Sequence, residues 1–226
     1  MAEDHGDPTA DGASAGRVLG KRETQGYSGG ETLFGAEIHA PDASILSFWQ
    51  WAYSDLTDNV NRGIFAEWMV AKLLEVRFPA TRQPWDVYDL VTPEGIRVEV
   101  KASAYVHSWS KAGPQDKHPQ PKPARIEFTN LCAHAYTDAT MTHVADATTY
   151  NADVYVFCCQ TSPDAATWSA LDLDQWEFYA LSKPQLEEHG WRSIALGTLR
   201  RLTSAVPPGE LRAAVQQAAG MPTEES

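Results

Sequence analysis

The stretch from Asp89 to Lys101 constrains the fold more than any other: an aspartate, a turn at Pro93-Glu94-Gly95, then Val98-Glu99-Val100-Lys101. A three-residue loop closing on glycine is a common hairpin connection. It pairs Thr92 with Ile96 and sets Asp89 opposite Glu99. Strand side chains alternate between faces, so Val87, Asp89 and Val91 are expected to share a face with Arg97, Glu99 and Lys101. The other face reads Asp86, Tyr88 and Leu90 against Ile96, Val98 and Val100, and is mostly core-like.

Asp89 and Glu99 with Lys101 on the same face make a candidate divalent-metal site with a cation beside it. Oxygen donors of this kind suit Mg²⁺ or Mn²⁺, which bind through one or two carboxylates, keep several waters and take further ligands from phosphates. Such an ion lowers the pKa of a bound water and neutralises charge developing on phosphorus. Lys101 is then placed to orient that water or to stabilise the pentavalent oxyanion. Taken alone, Val98-Glu99-Val100-Lys101 also reads as an ordinary amphipathic strand with solvated charges. Its weight comes from its surroundings.

Upstream, residues 61–74 are helical in period, with Ile64, Trp68, Ala71 and Leu74 on one stripe and Phe65, Met69 and Leu73 beside it. Glu67 sits within a turn of these apolar residues. The series Glu67, Asp89, Glu99, Lys101 resembles the PD-(D/E)xK nuclease superfamily, whose members commonly place a glutamate on the helix before the sheet, then Asp and Glu-x-Lys. It is most similar to the archaeal Holliday-junction resolvases and the Mrr-type restriction enzymes. The resemblance covers residues 60–105, and 60–160 in outline. No proline precedes Asp89, where Tyr88 stands, and Asp86 is a rival for the metal aspartate. Parity puts Asp86 on the face opposite Glu99, which favours Asp89.

The resemblance implies a restriction-endonuclease-like core, an α/β fold with a mixed central sheet flanked by helices. It implies a divalent-metal-dependent DNA endonuclease, a hydrolase of phosphodiester bonds, of restriction or repair type. Asp89, Glu99 and the backbone carbonyl of Val100 would bind Mg²⁺ or Mn²⁺, Lys101 would position the attacking water, and Glu67 would complete or orient the ligand set. Ser103, on the same strand face, is a candidate phosphate contact. A catalytically inactive nuclease fold used as a DNA- or protein-binding module is the alternative. A third possibility is an unrelated enzyme or structural protein in which these charges only decorate the surface.

The net charge of −12 runs against nucleic-acid binding, which normally shows a basic footprint. The charge is uneven, however. From Arg97 to Arg125 there are six Lys or Arg against two acids. Lys111, Lys117 and Lys122 lie there in a proline-broken stretch following the Glu99 strand and are candidate DNA contacts, as a stiff arm or as a disordered spacer. The three cysteines show no metal-ligand spacing, and Cys158-Cys159 sit in an apolar run that reads as a buried strand, so a reducing cytoplasm is expected. The N-terminus is acidic and has no apolar segment, and no run of 18 apolar residues suggests a membrane span.

Residues 1–38, rich in Gly, Ala, Asp, Ser and Thr, are expected to be a disordered acidic tail. Residues 39–204 form the nuclease-like domain, and 205–226 a weakly helical or disordered tail. Within the domain, Ser44 offers an N-cap for an aromatic helix through Tyr53, expected to pack over the sheet rather than to stack on bases. Strands are expected at 125–129, 153–160, 175–181 and 193–196, with a helix from Gly197 to Leu202. Oligomeric state is left open, with a homodimer among the possibilities.

Overall fold

A computed structural model describes residues 26–35, 39–77, 87–108, 125–137 and 142–221. In chain order, β1 (Thr32–Phe34) and β2 (His39–Ser44) form an antiparallel pair, followed by α1 (Ile45–Tyr53) and α2 (Asn59–Leu73). Next come β3 (Leu90–Val91), β4 (Arg97–Ala104) and β5 (Glu127–Phe128). β6 (Ala133–Thr137) and β7 (Thr142–Thr149) pair with each other. β8 (Val154–Gln160), β9 (Trp176–Ser182) and α3 (Lys183–His189) follow. The described chain closes with β10 (Ile194–Ala195), α4 (Leu196–Leu202) and α5 (Leu211–Ala218).

The central sheet runs β3-β4-β8-β9. β4 and β8 are parallel, in register from Val98 opposite Val154 to Ala104 opposite Gln160, while β3–β4 and β8–β9 are antiparallel. This is the mixed sheet with flanking helices expected from the sequence. All seven residues of β8 are buried, as a central strand covered on both faces requires. On one face Val98, Val100, Val156, Cys158 and Phe178 meet Met69 and Val70 of α2 and Leu211 and Val215 of α5. On the other, Tyr155, Phe157, Cys159 and Tyr179 meet Leu186 of α3, Leu196 and Leu199 of α4, and Phe128 and Ile194 from the small β5–β10 pair. Burial pushes the Cys159 thiol up to about 12, as for an apolar core residue.

Several elements depart from expectation for identifiable reasons. The segment after 204 is no tail: α5 inserts Leu211 and Val215 fully into the first core. Burying an aliphatic side chain of that size contributes about 1.5–3 kcal/mol, enough to make the helix part of the domain. Residues 32–34, expected in the disordered N-terminal tail, form β1. α3 was not expected, although Ser182 and Gln185 make a reciprocal capping box with Pro184 in the first turn. The buried stripe of α2 runs through Arg62, Ala66, Met69 and Val70, while Trp68 is half exposed. Ala66 and Ala71 are fully buried against the sheet, and Trp68 faces outward. α1 has the expected bounds, with the Ser44 hydroxyl accepting from the Ser47 N–H at 3.1 Å, yet buries none of its residues.

Candidate carboxylate and lysine site

Parity reasoning placed the hairpin correctly. Thr92 N–H donates to the Ile96 carbonyl at 2.9 Å, Leu90 pairs with Val98, and Val91 with Arg97. Gly95 closes the turn at φ +87°, a left-handed conformation that favours glycine. Carried one residue outward, the same frame would set Asp89 against Glu99. The strand, however, begins only at Leu90, and residues 87–89 form a bend. The expected face for Tyr88 is therefore wrong: its ring packs with the second core rather than beside Leu90. Asp86 lies outside the described residues.

The bend puts the Asp89 carboxylate, rather than its backbone, against the next ladder position. Asp89 N–H donates to the Val98 carbonyl at 3.1 Å, and the Val100 N–H donates to Asp89 Oδ2 at 2.7 Å. Successive residues of a strand direct their backbone groups to alternate sides. The Arg97 carbonyl accepts from Asp153 N–H on the β8 side. The Val100 carbonyl therefore points to the same edge as Asp89. Its side chain is buried in the first core, which fixes that orientation.

Glu99 and Lys101 share the opposite face of β4, and Lys101 Nζ donates to Glu99 Oε1 at 2.6 Å, each side chain being 19% exposed. Ser103 continues this row one pleat further, buried and opposite Cys159. Tyr155 of β8 stands opposite Glu99 and its hydroxyl pKa is raised, mainly by burial and then by the Glu99 charge. Sequence reasoning did not single out Tyr155, because it sits in an apolar run and reads as core. Lys111, Lys117 and Lys122 fall outside the described residues.

Electrostatics tie these groups together. The Asp89 carboxyl is pushed up to about 7, first by burial, then by the negative charges of Glu99 and Glu67. The Val100 N–H and Lys101 oppose the shift without cancelling it. Glu67, on α2, is thus close enough to be felt at Asp89. Among the described residues no three His, Cys, Asp or Glu side chains converge as a metal cage. The donors that do meet suit a hard cation that keeps its waters. Each carboxylate has one oxygen engaged, Asp89 Oδ2 by Val100 and Glu99 Oε1 by Lys101, and a second oxygen besides. Negative charge that holds a carboxyl this high is the environment a divalent cation relieves.

Fold and site together define a mixed α/β protein with a carboxylate–lysine cluster on a hairpin edge. The sequence matches the profile of the bacteriophage T4 endonuclease IV family over residues 43–190, well over half of the chain, and the chain belongs to that endonuclease family. The matched span contains Glu67, Asp89, Glu99 and Lys101, while α4 and α5 lie beyond it. No curated protein sequence matches the chain. Among the described residues, no helix is long and apolar enough to cross a membrane.

Proposed function

We propose that the protein is a divalent-metal-dependent endonuclease that hydrolyses DNA phosphodiester bonds, with a PD-(D/E)xK type of site and a restriction or repair role. The observation that carries this reading is the buried Asp89 carboxylate, held by the Val100 N–H and within reach of the charges of Glu99, Glu67 and Lys101. Membership of an endonuclease family supports it independently.

In this reading Asp89 and Glu99 would hold Mg²⁺ or Mn²⁺, with the Val100 carbonyl as a further oxygen donor. When bound, the ion supplies an acidified water and neutralises charge on the scissile phosphate. The protein's own groups do the rest. Lys101 leaves Glu99 to orient the attacking water or to stabilise the anionic phosphate oxygens as the water oxygen bonds to phosphorus and the leaving-group oxygen departs. Glu67 sets the position of Asp89 through the charge the two share. Ser103 offers a hydroxyl to a phosphate oxygen, and Lys111, Lys117 and Lys122 hold the backbone beyond the cut. Orienting groups of this kind commonly govern metal affinity and rate.

The 2.6 Å ion pair between Lys101 and Glu99 favours a second reading, a silent nuclease fold that only binds, because it occupies both groups with each other. One assay separates the two. Purified protein is mixed with plasmid, methylated and branched DNA, with Mg²⁺, Mn²⁺ or EDTA. Cleavage that requires the ion supports the enzyme, whereas binding without cleavage under every condition supports the module.

A further inference from the structure

The β1–β2–α1 region carries a run of exposed large apolar side chains, Leu33, Phe34, Leu46, Phe48, Trp51 and Tyr53. α1 is fastened at both ends: Gly29, at φ +106°, lies against the Trp49 ring and its carbonyl accepts from Leu46 N–H at 3.0 Å, and Asn61 Nδ2 donates to the Ala52 carbonyl at 3.2 Å. Its exposed side presents Phe48 and Trp51 at ring separation 6.4 Å, with Tyr53 edge-on to Phe48 at 6.1 Å. Leu33 of β1 shares a groove with Phe48 and Trp51, and Phe34 follows it. Trp51 is 84% and Phe34 88% exposed.

Charge narrows what can cover this patch. The described residues from 26 to 58 contain no Lys or Arg, and their acids are Glu31, Asp42, Asp55 and Asp58. Stacking platforms for nucleic acid pair their aromatics with a positive groove for the backbone, and the described residues from 26 to 58 supply no cation for one. Three of the acids also serve local structure: Glu31 accepts from Ser28 and Gly29, Asp55 from Thr57, and Asp58 caps α2. They leave the apolar stripe itself uncharged. Extent points the same way. With each aromatic offering roughly 150–250 Å² when fully covered, the patch amounts to several hundred Å². That reaches the size of the largest apolar patch on a typical monomer and approaches the ~800 Å² each partner contributes to a standard interface.

We propose that this surface is a self-association interface, on which a second copy of the chain docks its own Phe34, Phe48 and Trp51. A two-fold contact uses the same patch twice, so an apolar stripe with no charge to select another partner suffices. The inference stands apart from the nuclease reading. It also fixes the sign of the salt effect: copies carrying a net charge of −12 repel, and salt screens that repulsion without weakening apolar contact. Dimerisation tightens with salt, whereas phosphate binding weakens.

The test is analytical ultracentrifugation of the full chain from about 1 to about 100 µM, a range spanning micromolar affinity, at low and high NaCl. The expected result is a dimer that strengthens with salt. Trp51→Glu and Phe34→Glu should each weaken it about tenfold or more, as for a residue central to an interface, with unchanged far-ultraviolet circular dichroism. Leu171→Glu, at an exposed leucine elsewhere, should leave the dimer as it is. Either near-fully exposed position decides the matter if the other variant folds poorly. A monomer at every concentration, a dimer indifferent to both variants, or one weakened by salt overturns the proposal. So does a monomer whose tryptophan fluorescence is quenched by an oligonucleotide only when Trp51 is present, since the patch would then be a stacking platform.

Discussion

At its turn the β3–β4 hairpin holds Glu94 against Arg212 and Gln216 of α5, at 2.6 and 2.9 Å. At its open end it holds Asp89 near Glu99 and Glu67. The two ends treat a carboxylate in opposite ways. Arg212, which also pairs with Glu75 at the end of α2, and Thr92 pull the Glu94 carboxyl down to about 2. Burial and like charge push the Asp89 carboxyl up to about 7. One hairpin thus has a clamped, charge-balanced end and an end that carries excess negative charge. The clamp draws on α5, beyond the span that matches the family, while the charged end lies wholly within it. Stability is local to one end and, in our reading, chemistry to the other.

Substitutions that exchange the two roles would break this comparison. The largest effect is expected at the open end: Asp89→Ala or Glu99→Ala should abolish Mg²⁺-dependent cleavage. Their Tm in EDTA should hold or rise, because removing one carboxylate relieves repulsion. Loss of fold in both variants would place stability at this end instead. Next in size, Lys101→Ala should lower the cleavage rate by about 10²-fold with DNA affinity nearly intact, and Lys101→Arg should not restore it, since a planar fork replaces a compact ammonium. Equal losses in rate and affinity, measured by single turnover and by titration, would make Lys101 a phosphate anchor.

At the turn, Arg212→Ala should lower Tm by about 2–4 °C, the scale on which a chain of this size answers a modest loss. Cleavage per folded molecule should change by less than about threefold, because Arg212 touches none of the reacting groups proposed here. A rate loss as deep as that of Lys101→Ala would mean that the clamp also sets catalytic geometry.

The pH dependence of stability in EDTA should show both ends with opposite signs. Glu94 has its folded pKa depressed from 4.5 to about 2, so its contribution is full above its unfolded value and disappears as pH falls towards 2. Asp89 has its folded pKa raised from 3.8 to about 7, so stability declines as pH rises from about 4 to about 7. Glu94→Gln should flatten only the acid limb, and Asp89→Asn only the rise-dependent loss. Urea melts across that pH range decide it.

The register of the hairpin was legible because a strand period of two and a glycine-closed turn leave one pairing, and the mixed sheet was implied by the family resemblance. α1 was legible in its bounds, since Ser44 is a strong cap. Its exposure was not, because periodicity reveals an apolar stripe without saying what covers it. α3 is short and polar, so only its Ser182–Gln185 capping box could have revealed it. Residues 32–44 and 133–149 lack the alternation that marks a half-buried strand, and their pairing became visible only in three dimensions. At the site, Asp89, Glu99 and Lys101 came from local parity, but Glu67 came only from resemblance to a family, since a lone glutamate on a helix resembles any solvated one. The bend before Leu90 turns on backbone geometry that residue types do not encode, and so Tyr88 was assigned to the wrong core.

The central claim is that the open end of the hairpin holds excess negative charge suited to a divalent ion. A thermal melt with increasing Mn²⁺ tests it most directly, because a ligand that binds only the folded state raises Tm with its concentration. A rise of several degrees is expected in the wild-type protein, retained in Glu94→Gln and lost in both Asp89→Ala and Glu99→Ala. An unmoved wild-type Tm, or an equal rise in Asp89→Ala, would contradict it.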